Sequence, residues 1–223
     1  MPTSSQPYRS QPICSAHCAS IFAVEAKSLW RKQRLHGSSI PARFWIKSGH
    51  WRRKAEYQDS RPGDLAEPEL IEYIQNKHHA FLREELPALT PYMTKLARVH
   101  GERHPELLRV QKLFADLKSE LQEHTEDEDH NVFPQILKSM ANPNPQHLEE
   151  LRPLLSGLEE EHEQAGNLLK ELREVTGDFA LPADACGTYR LVYQRLGLLE
   201  KDTFEHIHLE NNVLFERIRE RCS

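Results

Sequence analysis

From Asp64 onward, apolar residues recur at steps of three and four, the period of a helix that buries one face. The first such stripe runs Leu82, Leu86, Leu89, Met93 and Leu96, and a step of three back from Leu82 reaches His79. A second runs Leu107, Val110, Phe114, Leu117, Leu121, His124 and Glu128. The third runs Leu148, Leu151, Leu155, Leu158, His162, Ala165, Leu169 and Leu172, and the fourth Val192, Leu196, Leu199, Thr203, His206, Glu210 and Val213. The stops between them are clear. The first segment spans about Leu65 to His100, with Asp64 and Glu67 placed for a capping box and Gly101 for a left-handed C′ residue. The second opens near Pro105 and closes before Asn142-Pro143-Asn144-Pro145; the third covers about Gln146 to Thr176 and stops at Gly177; the fourth follows Pro182. Pro87, Pro91 and Pro153 fall inside segments, where each is expected to bend, break or restart the helix. Helices of roughly 30 residues, each about 45 Å long, on short connections predict an all-α, up-down-up-down four-helix bundle over residues 63–223.

On every stripe the apolar run is interrupted by histidine, and on two of them glutamate follows four residues later. A stripe position is a buried position, and an uncompensated buried carboxylate costs several kcal/mol even after relaxation. A cation resolves the conflict. Residues i and i+4 share a helix face, so His124 with Glu128 and His206 with Glu210 can each offer a nitrogen and an oxygen to one centre. Imidazole with carboxylate suits non-haem iron or manganese, with zinc a further candidate. The plan also occurs twice. His79 precedes His124 by 45 residues and Glu128 by 49, while His162 precedes His206 by 44 and Glu210 by 48. Phenylalanine follows each glutamate by five positions, at Phe133 and Phe215. Two matching helical hairpins would then place six donors about a pseudo-twofold axis, an arrangement that suits two metals bridged by the two carboxylates. Each piece alone has an ordinary explanation: a core histidine bonded to a carbonyl, an exposed His–Glu pair, or a solvated acidic face over residues 123–128. The conjunction on four stripes is far harder to produce by accident. Periodicity does not separate His78 from His79, although the repeat spacing favours His79. His100, His104, His130, His147 and His208 fall at helix ends or off the stripes and most are expected in solvent, with His100 placed to approach one mouth of the bundle.

Charge divides the chain. Residues 1–62 carry eleven Lys and Arg against Glu25, Glu56 and Asp59, a net of +8, whereas residues 63–223 carry a net of −13. All three tryptophans, Trp30, Trp45 and Trp51, lie in the basic part, which shows no sustained period beyond one possible helix from Ser20 to Arg34. A boundary near Arg61-Pro62-Gly63 is therefore expected, with a mostly irregular N-terminal region before it. No nucleic-acid motif accompanies the basic charge, so nucleic acid is not expected as a partner. Apolar runs are too short for a membrane helix, no secretory signal is visible, and Cys14, Cys18, Cys186 and Cys222 do not form a disulfide framework; a cytoplasmic protein is expected.

The segment His78-His79-Ala80-Phe81-Leu82-Arg83-Glu84-Glu85-Leu86-Pro87 resembles the opening helix of the di-iron proteins for repair of iron centres (RIC), within the hemerythrin-like HHE superfamily. The likeness continues through His124-x-x-x-Glu128 with Val132-Phe133-Pro134, then Glu161-His162-Glu163-Gln164-Ala165-Gly166 and Pro182-Ala183-Asp184-Ala185-Cys186. It closes on His206-Ile207-His208-Leu209-Glu210-Asn211-Asn212-Val213-Leu214-Phe215, and covers about residues 64–217. The resemblance implies a hemerythrin-like bundle with metal ligands His79, His124, Glu128, His162, His206 and Glu210, the same six reached from the stripes. It implies two non-haem iron ions, oxo- and carboxylate-bridged, and places Glu120 and Glu161 at acidic positions near the site. The implied function is repair of iron–sulfur clusters damaged by nitric oxide or peroxide, through iron donation or nitric oxide reduction. Damaged iron–sulfur proteins are the implied clients, nitric oxide or oxygen the small ligands, and an electron donor is needed; the chain is expected as a monomer or homodimer. An oxygen- or nitric oxide-binding module without repair, or a structural bundle with zinc or no metal, are the competing readings. The chain departs from the family at the front: in place of two adjacent cysteines followed by Gly-Gly it has Cys14-Ser-Ala-His-Cys18.

Overall fold

The computed structural model describes residues 61–142 and 144–221, without the side chains of Pro145 and Leu148. The expectations for the basic N-terminal region, the Ser20–Arg34 helix, Cys14, Cys18 and Leu148 lie outside the described residues. Among those described, four long helices form and there is no strand. Helix α1 comprises Glu67–Ile74, a π-helical turn Gln75–His79, and Ala80–His100. Helix α2 comprises Glu106–Asp127, a π-helical turn Glu128–Val132, and Phe133–Ala141; α3 is Pro145–Val175. Helix α4 comprises Gly187–Leu209, a π-helical turn Glu210–Leu214, and Phe215–Arg221.

Helix ends differ from the sequence reading in several places. The α1 start lies beyond the Asp64/Glu67 pairing: Asp64 belongs to a 3-10 turn Pro62–Asp64, and the Ala66 N–H donates to Glu69 Oε2 at 3.4 Å. Gly101 is not left-handed; at φ −59° it continues the right-handed path, and a Cβ there would fall 2.4 Å from the Ala97 carbonyl oxygen. Gly177 does take the left-handed conformation, φ +57°, followed by Asp178 and Phe179. Helix α3 is capped by Asn144, whose Oδ1 accepts from the Gln146 N–H at 3.0 Å. Helix α4 begins at Gly187, later than Pro182, because residues 182–186 turn first, with Ala185 N–H bonded to Pro182 O at 3.0 Å.

The three internal prolines break nothing. Pro87, Pro91 and Pro153 all sit on exposed helix faces. The carbonyls that each proline leaves without an intrahelical donor belong to Arg83, Pro87 and Glu149, also exposed residues, so water can satisfy them.

The buried face of each helix separates into two apolar clusters with a polar layer between them. The larger holds Leu82, Leu86, Met93, Val110, Phe114 and Leu196 among others; the smaller holds Leu70, Ile74, Phe133, Leu155, Phe215 and Ile218 among others. Helices α1 and α3 run from the smaller cluster to the larger, and α2 and α4 run back, which is the up-down-up-down order. Each helix crosses between clusters at its histidine. The described stripe residues are buried except Val213, which is half-buried. A π turn adds one residue to the turn it occupies and so shifts the stripe, putting Leu214 in the core instead.

Candidate metal centre

The polar layer is built where the helices leave α geometry. Three of its four helices carry a π turn there, ending at His79 or beginning at Glu128 and Glu210. The structure brings together all six residues singled out from the stripes. His79, His206, Glu128 and Glu210 can each present one ligand atom within 4.8 Å of the others, and so can His124, His162, Glu128 and Glu210. The four imidazoles thus divide into two pairs, and both carboxylates belong to both groups. Every one of the six is buried.

Imidazole orientation follows from what lies behind each ring. His79 donates its Nδ1–H to Asp129 Oδ1 at 2.8 Å, His124 donates Nδ1–H to Glu161 Oε2 at 2.6 Å, and His162 donates Nδ1–H to Asn211 Oδ1 at 2.8 Å. An imidazole that donates from Nδ1 carries, when neutral, its lone pair on Nε2. Those Nε2 atoms point inward: His124 Nε2 lies 2.9 Å from His162 Nε2, and His79 Nε2 lies 3.1 Å from His206 Nε2. Were both rings of a pair neutral, lone pair would face lone pair at 2.9 or 3.1 Å and repel, so each pair calls for a proton or a metal ion between its nitrogens. Phe133 stacks on the His79 ring, centroids 5.6 Å apart, and Phe215 on the His162 ring at 6.2 Å, so each hairpin braces its own histidine.

The carboxylates complete the arrangement. Glu210 Oε1 lies 2.8 Å from His206 Nε2 while its Oε2 lies 3.1 Å from His162 Nε2, so this one group spans both pairs. Glu128 Oε2 lies 3.1 Å from His124 Nε2 and 3.3 Å from His79 Nε2. Despite these distances, none of the four carboxylate oxygens makes a hydrogen bond of acceptable geometry. Atoms that converge without hydrogen-bond alignment fit common centres between them, and this donor set fits metal ions.

The electrostatics describe the same demand for positive charge. Burial opposes protonation of His79, yet Asp129, Glu128 and Glu210 push it up to about 11. Burial likewise opposes protonation of His124, yet Glu128, Glu161 and Glu210 push it up to about 10. His206 goes the other way, held down by its complete burial. Burial raises both Glu128 and Glu210, and the charge of Glu210 raises Glu128 further, but the surrounding imidazoles outweigh these effects and hold the two carboxyls below the usual range. Two ionised carboxylates sealed in the bundle therefore draw cationic partners.

The two pairs differ in access. A cavity of about 320 Å³ opens against His124 and His162, lined also by Glu120, Glu123, Asp127 and Glu161. Burial and the repulsion of Asp116, Glu123 and Glu161 raise the Glu120 carboxyl. His79 and His206 do not line this cavity.

The remaining histidines are placed as follows. His78 is buried but belongs to neither group, with Nδ1 3.1 Å from Asp202 Oδ2 and its ring parallel to that of His206 at 5.7 Å. His100 is not solvated: it is buried at the far end of α1, with Nε2 3.2 Å from Cys186 Sγ. His104 and His147 are partly buried, while His130 and His208 are exposed. Sequence reasoning gave no role to Asp129 or Asn211. The available signal was the duplicated spacing itself, which puts Asp129 and Asn211 at the same position after each glutamate.

Residues 70–218 match the hemerythrin HHE cation binding domain. The chain belongs to this family. Its cation-binding character accords with the buried His/Glu layer, and its helical bundle with the fold described above. Among curated relatives, the iron-sulfur cluster repair protein ScdA of Staphylococcus epidermidis is 42% identical over 149 residues, 67% of this chain and 65% of the relative. The protein of the same name from Staphylococcus haemolyticus is 42% identical over 153 residues, 69% of this chain and 68% of the relative. The iron-sulfur cluster repair protein YtfE of Escherichia coli is 35% identical over 160 residues, 72% of this chain and 69% of the relative. The matched part of this HHE chain thus spans about two thirds of the length of these relatives. No helix among the described residues is long and apolar enough to cross a membrane.

Proposed function

We propose that the polar layer holds two iron ions and that the chain serves the repair of iron–sulfur clusters damaged by nitric oxide or peroxide. The observation that carries the reading is the pair of fully buried carboxylates shared between two imidazole pairs whose Nε2 atoms face each other. His79 and His206 would hold one ion, His124 and His162 the other, with Glu128 and Glu210 shared by both. Iron so bound supplies redox capacity and open positions for nitric oxide or oxygen, and is itself available for donation.

The chain's own residues set the terms. The outward Nδ1–H bonds to Asp129, Glu161 and Asn211 orient three of the rings and leave their inward nitrogens free to bind. The apolar clusters close the layer at both ends and Glu128 and Glu210 are themselves fully buried, so the two carboxylates act at low dielectric and favour multiply charged cations. The acidic cavity at His124 and His162 gives cations and small ligands a path to one position. Damaged iron–sulfur proteins are the clients in this reading, the cytoplasm is its setting, and an electron donor completes it. The likeness to relatives named for iron-sulfur cluster repair supports this reading over other uses of the same centre.

The test is reactivation. An iron–sulfur enzyme inactivated with nitric oxide or peroxide should regain activity when mixed anaerobically with the iron-loaded chain, and not with the metal-free chain. The cavity, which is wide enough for a diatomic ligand, favours one second reading: a module that binds or senses oxygen or nitric oxide without repair. Reversible ligand binding with no reactivation would select that reading.

A further inference from the structure

The internal duplication offers a comparison within one molecule. Each hairpin presents Glu followed by a residue that reaches the neighbouring histidine: Asp129 holds His79, and Asn211 holds His162, both at 2.8 Å. The geometry is the same and the charge is not. Asp129 is anionic, with a side chain only 13% exposed, and is anchored from two further directions, by Gln75 Nε2 at 2.9 Å on Oδ1 and by Arg83 Nη1 at 2.7 Å on Oδ2. Asn211 is neutral. The other two histidines do not restore the balance. His124 leans on Glu161, an anion whose side chain is 51% exposed and stands in the wall of the open cavity, where solvent and salt screen it. His206, which shares its group with His79, has no hydrogen-bond partner on Nδ1, so Asp129 carries the outer support of that position alone.

We propose that Asp129 is a positioning residue for His79: it fixes the ring with its inward nitrogen free, strengthens that nitrogen as a donor, and makes the His79/His206 position the tighter of the two metal positions. The physical basis is general. A carboxylate accepting the outer N–H of an imidazole raises the electron density of the inner nitrogen and removes the ring's rotational freedom, whereas a neutral amide does only the second. The buried and anchored acid acts with less screening than the exposed one. This inference rests on the metal-centre reading above.

Cobalt(II) tests it without reference to repair activity, because its visible ligand-field bands report both uptake and coordination. The metal-free full chain, titrated anaerobically with Co²⁺, should take up two ions in two resolved steps. Asp129→Asn makes the two hairpins alike and should weaken the tighter step by about 10- to 100-fold, with a change in the bands of that step and little change in the other. Asn211→Asp should strengthen the weaker step and bring the two together. Two unequal steps that are untouched by Asp129→Asn, or both weakened equally alongside a drop in melting temperature, would overturn the role assigned to Asp129. Should Asp129→Asn fail to fold, Asn211→Asp decides: a strengthened weaker step supports the proposal, an unchanged one overturns it. A wild-type chain that takes up no Co²⁺ would overturn the metal-centre reading itself, and this inference with it.

Discussion

The two imidazole pairs of the polar layer use the same chemistry in different surroundings. His79 and His206 lie 0% and 1% exposed, and an anchored aspartate stands behind one of them. His124 and His162 are almost as buried, yet a cavity of about 320 Å³ reaches them between α2 and α3, and four acidic residues help to line it. The donors themselves are equivalent by the duplicated hairpin plan. The difference comes from their surroundings: which side chains line the approach, and which residue stands behind each ring. Donor placement is thus written in the repeat, whereas access is written in the residues that flank each pair.

The largest expected effect strikes both positions at once. Glu128 lies close to His79 and His124, so Glu128→Gln should abolish the dinuclear optical signature and lower iron content, since an amide bridges poorly. An unchanged spectrum and iron content would break the idea that the two pairs share this group.

A second test separates the positions. Truncating His162 to Gly and truncating His206 to Gly should each leave about one tightly held ion per chain. Added imidazole should then restore the second ion in the His162 variant, where the cavity admits it, and not in the His206 variant. Equal rescue in both, followed by metal analysis after gel filtration, would remove the distinction between open and closed positions.

The third effect is gradual. The neighbouring carboxylates raise His79 to about 11 and His124 to about 10 in the metal-free protein, against the unfolded value of 6.5. A raised pKa contributes stability that is complete below 6.5 and is lost as pH rises through the folded values. The metal-free chain should therefore lose thermal stability between about pH 7 and 11. Metal binding, which displaces those protons, should tighten over the same range and weaken as pH falls, with release below about pH 6. Melting temperatures of both forms across this range provide the check; a metal-free chain that gains stability with rising pH would contradict it.

Much of this was legible in the sequence because a helical stripe converts position into burial. Histidine and glutamate at stripe positions belong in the interior by their spacing alone, and a second copy of the spacing joins them into one candidate site. The limits were equally physical. The three- and four-residue rule assumes α geometry throughout, so it could not register the π turns that seat both His78 and His79 in the core and move Val213 out of it. Proline rules describe the hydrogen bond lost and not the face on which it is lost; Pro87, Pro91 and Pro153 are tolerated because that face is wet. Asp129 and Asn211 escaped because a residue that supports a neighbouring helix's histidine leaves no period on its own helix. Their pairing with His79 and His162 depends on contacts across 50 and 49 residues of sequence.

The central claim is that two cations reconcile the buried Glu128 and Glu210 with four inward-facing imidazoles. Iron analysis of the purified full chain after anaerobic loading and removal of excess metal tests it most directly. The account predicts two iron ions per chain; a chain that folds normally and retains none would contradict it.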